Sequence, residues 1–248
     1  MRVSIQFRRP IRALALSVLP WLLAPAAQAQ LSGSAGLLSN YMYRGVSLSD
    51  DRAAARLALN YDGAAGWFAG GQVATGQLAV ERHRSAQWIG YAGYAQRLPS
   101  GLSWETGVTA YAFPGSSNWN FRELFVGLAG GGVSGRLHYA VDYLGFGERT
   151  LYGELNGGWM LAPRLQAFWH GGYLYSRDNA LSHRAEGRIG LATGFQGWQA
   201  QVSLDLTRLR GAAATTSAGS AYGAGDGARS TVAGDWRHQF VVTVAKAF

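Results

Sequence analysis

The sequence predicts an all-β fold, a transmembrane antiparallel β-barrel of about twelve strands. Three observations carry that reading. Segments with a period of two recur through residues 30–248, and side chains at that spacing point to alternate faces of a strand. Every second connection between segments is tight, while the others are generally longer, which is the loop pattern of an outer-membrane barrel. The chain also closes on the alternating run "HQFVVTVAKAF", which ends at Phe248.

Taken in order, residues 1–29 read as a signal peptide. Arg2, Arg8, Arg9 and Arg12 form a basic start, "ALALSVLPWLLAPAA" is a short apolar segment, and "AQA" at Ala27–Ala29 has small residues at the cleavage positions. The mature start falls near Gln30. The Arg8–Arg9 pair also fits a twin-arginine signal, but the rest of that motif is missing and general secretion is the preferred reading. The apolar run is short for a membrane-spanning helix. Residues 30–248 then form one barrel, with a mobile loop at 210–232.

The four leader arginines supply half of the formal charge of +8, and the modest remainder argues against a nucleic-acid partner. With no cysteine there is neither a disulfide nor a thiolate metal site, which suits a bacterial envelope protein. Aromatic residues make up 12% of the chain and glycines number 35, against only 15% charged residues. That balance fits β-structure facing lipid.

The expected strands are 34–44, 53–62, 67–75, 86–98, 102–113, 119–129, 133–144, 150–161, 164–175, 184–195, 198–209 and 233–248. A tilted strand needs about 9–11 residues to cross the hydrocarbon layer. The tight connections are "GAAG" at 63–66, "PSG" at 99–101, "GGG" at 130–132, "AP" at 162–163 and "QG" at 196–197. The longer ones are 45–52, 76–85, 114–118, 145–149, 176–183 and 210–232.

The two faces separate best toward the C-terminus. Trp198, Ala200, Val202, Leu204 and Leu206 share one side, and Gln199, Gln201, Ser203, Asp205 and Thr207 the other. Leu137, Tyr139, Val141 and Tyr143 oppose Arg136, His138 and Asp142, and Leu151, Leu155 and Trp159 oppose Tyr152, Glu154 and Asn156. Charge is costly in hydrocarbon, so the polar side must face a wet or protein-filled lumen. Segments 34–44, 67–75 and 86–98 carry Gly and Ala on both sides and show no clear sidedness. Tyr41, Tyr43, Tyr61, Trp67, Trp104, Trp119, Trp159, Tyr173, Tyr175, Trp198 and Trp236 fall near strand ends, where aromatic girdles are expected.

The closing strand places Phe240, Val242, Val244 and Phe248 on one face, interrupted by Lys246. It resembles the C-terminal signal by which outer-membrane barrels engage the barrel-assembly machinery. Near the other end, "SNYMYRGVSLSDDRAA" at Ser39–Ala54 resembles the opening motif of the proteobacterial Gcw_chp family, through Tyr41, Tyr43, Arg44, Gly45, Val46, Ser47, Ser49 and Asp50. "GWFAGGQVAT" at Gly66–Thr75 is similar to the family's next strand. The resemblance implies an outer-membrane location and no chemistry. Physically, Arg44–Gly45 is expected where the first strand leaves the membrane, with Gly45 permitting a sharp turn or bulge. Arg44 would then pair with Asp50 or Asp51, or with a lipopolysaccharide phosphate.

Candidate lumen-lining residues are Arg56, Glu105, Glu123, Arg136, His138 and Asp142 in the first half of the barrel. Glu154, His170, Glu186, Arg188, Asp205, Asp235 and Arg237 follow in the second. Both signs occur, so ion pairs are expected, including a ladder of Arg188, Asp205 and Arg237 across three consecutive strands. Twelve strands lie between the filled eight-stranded barrels and the open sixteen-stranded ones, so a narrow pore and a plugged one both remain open. The expected role is a passive pathway for small hydrophilic solutes. The alternatives are a non-transporting envelope scaffold or surface-binding barrel in contact with outer-membrane lipid and lipopolysaccharide, and an outer-membrane lipid hydrolase. Against the last, His138 and His170 are expected to face inward and no Gly-x-Ser-x-Gly elbow occurs. Nothing implies a cofactor, a metal or a catalytic residue.

Overall fold

The computed structural model describes residues 30–77, 84–177, 183–210 and 236–248. Twelve strands close into an antiparallel barrel. They are β1 (Gln30–Leu38), β4 (Ala54–Asp62), β5 (Trp67–Gln77), β6 (Arg84–Arg97), β7 (Ser103–Ala112) and β8 (Phe121–Gly130), continued by β9 (Val133–Ala140), β10 (Thr150–Ala162), β11 (Leu165–Ser176), β12 (His183–Phe195), β13 (Trp198–Arg210) and β14 (Trp236–Ala247). A two-residue hairpin, β2 (Met42–Tyr43) and β3 (Val46–Ser47), stands apart from the barrel.

Each barrel strand pairs with its neighbour in sequence, and β1 closes on β14 through Ser34↔Ala247 to Leu38↔Thr243. Phe248 extends the seam by one more pair: its N–H donates to Gly33 O and its carbonyl accepts from Gly33 N, both at 3.0 Å. Closure leaves no open sheet edge in lipid, where each unpaired backbone group costs several kcal/mol.

The tight turns all lie at one end of the barrel. At "QG", Gln196 (φ 48°) and Gly197 (φ 77°) are both left-handed, as are Gly131 (φ 61°) and Gly132 (φ 84°). Such turns match the right-handed twist of a hairpin. The longer connections gather at the opposite, long-loop end.

Alternation continues through the segments whose sidedness was unclear. On β4, Ala55, Leu57, Leu59 and Tyr61 are exposed, while Ala54, Arg56, Ala58 and Asn60 turn inward. On β6, Trp88 is 53% exposed, whereas Gln87 and Ala95 are buried.

Three of the boundary differences from the sequence-based expectation move residues to a different place in the fold. The first strand is 30–38, not 34–44, because residues 39–53 turn into the barrel, where Tyr41 and Leu48 become buried. The strand expected over 133–144 stops at Ala140, and Tyr143–Gly145 forms a single 3-10 turn. Tyr143 is therefore fully buried, not on the outer face, and the exposed Asp142 lies in the connection, where it accepts a hydrogen bond from Gly147 N. Trp119 likewise belongs to a 3-10 turn preceding β8. The loop 210–232 lies, beyond its first residue, outside the described residues.

The outer surface carries aromatic rings near strand ends, among them Tyr61, Trp67, Trp159, Tyr173, Tyr175, Trp198 and Trp236. Tyr41, Tyr43 and Trp119 are exceptions to the expected girdles. Tyr41 and Trp119 are buried, and Tyr43 packs edge-on against Tyr111, which faces inward.

Candidate functional site in the barrel lumen

The first long connection, residues 39–53, crosses the lumen at the long-loop end. It turns through β2 and β3, with Arg44 (φ 46°) and Gly45 (φ 73°) in left-handed conformations at the tip. Glycine is needed there twice over. The φ is unfavourable for other residues, and a Cβ would lie 2.6 Å from Thr207 Oγ1.

At the tip, the Arg44 guanidinium forms a two-point ion pair with Glu123 of β8, Nη1–Oε1 at 2.6 Å and Nη2–Oε2 at 2.7 Å. Both side chains are almost wholly buried. Tyr111 of β7 donates its hydroxyl to Glu123 Oε2 at 3.0 Å, and His138 Nδ1 of β9 lies 3.3 Å from the same oxygen. The guanidinium also sits over the Tyr152 ring at 4.0 Å from its centroid, with Tyr43, Tyr143 and Tyr111 within 5.9 Å. Carboxylate and π-faces thus replace the water that both ions give up. This corrects the expectation for Arg44, whose partner is neither Asp50, Asp51 nor a lipid phosphate.

Backbone contacts hold the same tip from the opposite wall. Arg184 Nη1 of β12 donates to Arg44 O at 3.0 Å, and Thr207 Oγ1 of β13 donates to Gly45 O at 2.9 Å. Nearer the loop's start, Tyr41 donates its hydroxyl to Gln87 Oε1 and accepts from Gln72 Nε2. Asn40 Nδ2 donates to Asp51 and to Gln239 of β14, both at 2.8 Å. Ser47 and Ser49 donate to Asn40 Oδ1. Asp50 (φ 55°) and Asp51 (φ 55°) turn the chain back toward β4. The loop therefore contacts β5, β6, β7, β8, β10, β12, β13 and β14, and it spans the opening.

The remaining candidate charges sit along the inner wall. Arg136 pairs with Glu105 at 2.6 Å and covers the Phe125 ring. Arg188 pairs with Asp205, which also accepts from Ser203 Oγ at 2.8 Å. Arg237 faces inward opposite Thr207, two positions along from Asp205's partner Gln239, so the Arg188–Asp205 pair forms at the expected register and Arg237 lies off it. His138 Nε2 is 3.9 Å from Glu154. His170 contacts Asn156 through Nδ1 at 2.7 Å and Glu186 through Nε2 at 3.4 Å, and Tyr152 donates to Glu186. Among the described residues Arg56 faces inward without an ion-pair partner. Asp235 lies outside the described residues, and Asp142 lines no part of the lumen.

Sequence reasoning missed Tyr111 and Gln87 as partners of the loop, and it put Tyr41, Tyr43 and Arg44 at a membrane rim. Tyr111 and Tyr152 both fall on inward parity close to the long-loop end. Large polar-tipped rings in those positions were the available sign that something packs there.

A closed twelve-stranded barrel with an apolar outer face and a charged, loop-spanned lumen defines an outer-membrane β-barrel. The family model described as "Bacterial protein of unknown function (Gcw_chp)" matches residues 23–248, and the chain belongs to that family. No curated protein matches it significantly. Among solved structures it is similar to "KdgM porin", with a TM-score of 0.54 and 14% identity over 88% of this chain and 99% of that one. It is also similar to "KdgM porin in complex with disordered oligogalacturonate", with a TM-score of 0.51 and 13% identity over 88% and 98% of the two chains. At these identities the likeness is one of fold.

Proposed function

We propose that this protein is a passive, porin-like pathway for small hydrophilic solutes across the outer membrane, narrowed at its long-loop end by residues 39–53. The observation that carries the reading is the inner wall, where Arg56, Glu105, Arg136, Glu154, Arg188 and Asp205 place both signs of charge inside an apolar cylinder. A barrel serving only as a scaffold has no need to line its interior with so many partly exposed charges. The fold shared with a porin supports the same reading. We read no catalytic role: His138 and His170 are occupied with luminal carboxylates, away from the lipid-facing wall where a lipid hydrolase needs them.

Liposome swelling with refolded full-length protein tests the proposal. Entry of small sugars and amino acids, falling off steeply with solute size, is the expected result. Swelling no faster than in protein-free liposomes for every solute would favour the scaffold reading.

A further inference from the structure

Charge on this barrel is sorted by face. Among the described residues, the strand acids Asp62, Glu105, Glu123, Glu154, Glu186 and Asp205 all occupy inward positions. Among the described side chains, the outward strand positions bear no carboxylate, and their fully ionised groups are Arg122, Arg208 and Lys246.

On this outer face, two arginines meet at the long-loop end of β10 and β11. The Arg177 N–H donates to Arg149 O at 3.0 Å, extending the ladder one pair beyond Thr150↔Ser176. Both arginines are exposed, while the preceding Glu148 and Ser176 are buried and joined to each other. Like charges directly across a strand pair repel, and no described outward carboxylate relieves them.

Below the arginines is an apolar tier. Leu151 pairs with Tyr175, and His183 of β12 stacks on the Tyr175 ring with centroids 5.0 Å apart. One tier further down, Tyr173, Ala185, Arg208 and Trp236 stand on consecutive strands. Cationic forks above aromatic and aliphatic surface match an amphiphile with an anionic head and acyl tails.

We propose that Arg149 and Arg177, with Tyr175 and His183 beneath them, bind the phosphorylated headgroup of an outer-leaflet glycolipid. Guanidinium forks donate to phosphate oxygens two at a time, and an anion between the two arginines converts their repulsion into attraction. The bound lipid would lie against the outer wall of β10–β12, independently of any traffic through the lumen.

The test is titration of refolded full-length protein in detergent with lipid A, which carries two phosphates, followed by native mass spectrometry. Wild type is expected to retain the lipid, and Arg149→Gln/Arg177→Gln to bind about tenfold more weakly, with unchanged heat-modifiable migration. Arg164→Gln, at the opposite rim, is expected to bind as wild type. Dephosphorylated lipid should bind as weakly as the double variant, and inorganic phosphate alone should not displace lipid A. Wild-type affinity in the double variant, or equal binding of the dephosphorylated lipid, would overturn the site. Displacement by inorganic phosphate at matching concentration would overturn its assignment to a lipid.

Discussion

Arg44 at the tip of the first loop and Glu123 on β8, 79 residues apart in sequence, meet inside the barrel in a buried two-point ion pair. Removing one partner of such a pair strands the other charge away from water, at a cost of about 3–5 kcal/mol. Glu123→Gln should therefore loosen the loop while leaving the barrel ladder intact. Limited trypsin digestion checks this: cleavage after Arg44 is expected in the variant and not in wild type, with heat-modifiable migration retained in both.

Gly45→Val combines an unfavourable φ with a collision against Thr207. Strain of about 1–3 kcal/mol is expected at such a position. The tip should then leave its seat between β8 and β13, which trypsin digestion would register as it does for Glu123→Gln. Unchanged protection in Gly45→Val would show that the tip tolerates a side chain.

At the seam, a Cβ on Gly33 would collide with the Phe248 ring, and Phe248 supplies two backbone hydrogen bonds to Gly33. Deleting Phe248 removes both bonds at the closing edge. Refolding into detergent should slow, with a smaller heat-modifiable fraction at a fixed time. Phe248→Ala should retain more of that fraction than the deletion, because it keeps the backbone.

Asp205→Asn leaves Arg188 on the inner wall without its carboxylate. In a conducting barrel this shifts the luminal balance toward positive charge. Reversal potentials in a salt gradient should move toward anion preference relative to wild type. No movement would place Arg188 off the permeation path.

Much of the barrel was legible in the sequence because lipid enforces a simple rule: outward positions must be apolar, and backbone groups must pair. That rule imprinted the period-two segments, the tight turns at 130–132 and 196–197, and the closing strand to Phe248. It does not govern the loop that folds inward. Tyr41, Tyr43 and Arg44 have the amphipathic character expected of a membrane rim, and nothing local distinguishes a ring facing headgroups from one facing a guanidinium. Their partners Glu123, Tyr152 and Gln87 lie on distant strands, so only the closed register brings them together. Asp142 was misplaced for a related reason. The alternation runs on past Ala140 in the sequence, but the backbone turns there and parity stops carrying meaning.

Single-channel recording in planar bilayers, comparing wild type with Arg44→Ala, tests the central claim most directly. A loop that narrows a polar lumen predicts small discrete conductance steps in wild type and larger steps once its anchor is removed. Steps of equal size in the two proteins, or none in either, would contradict it.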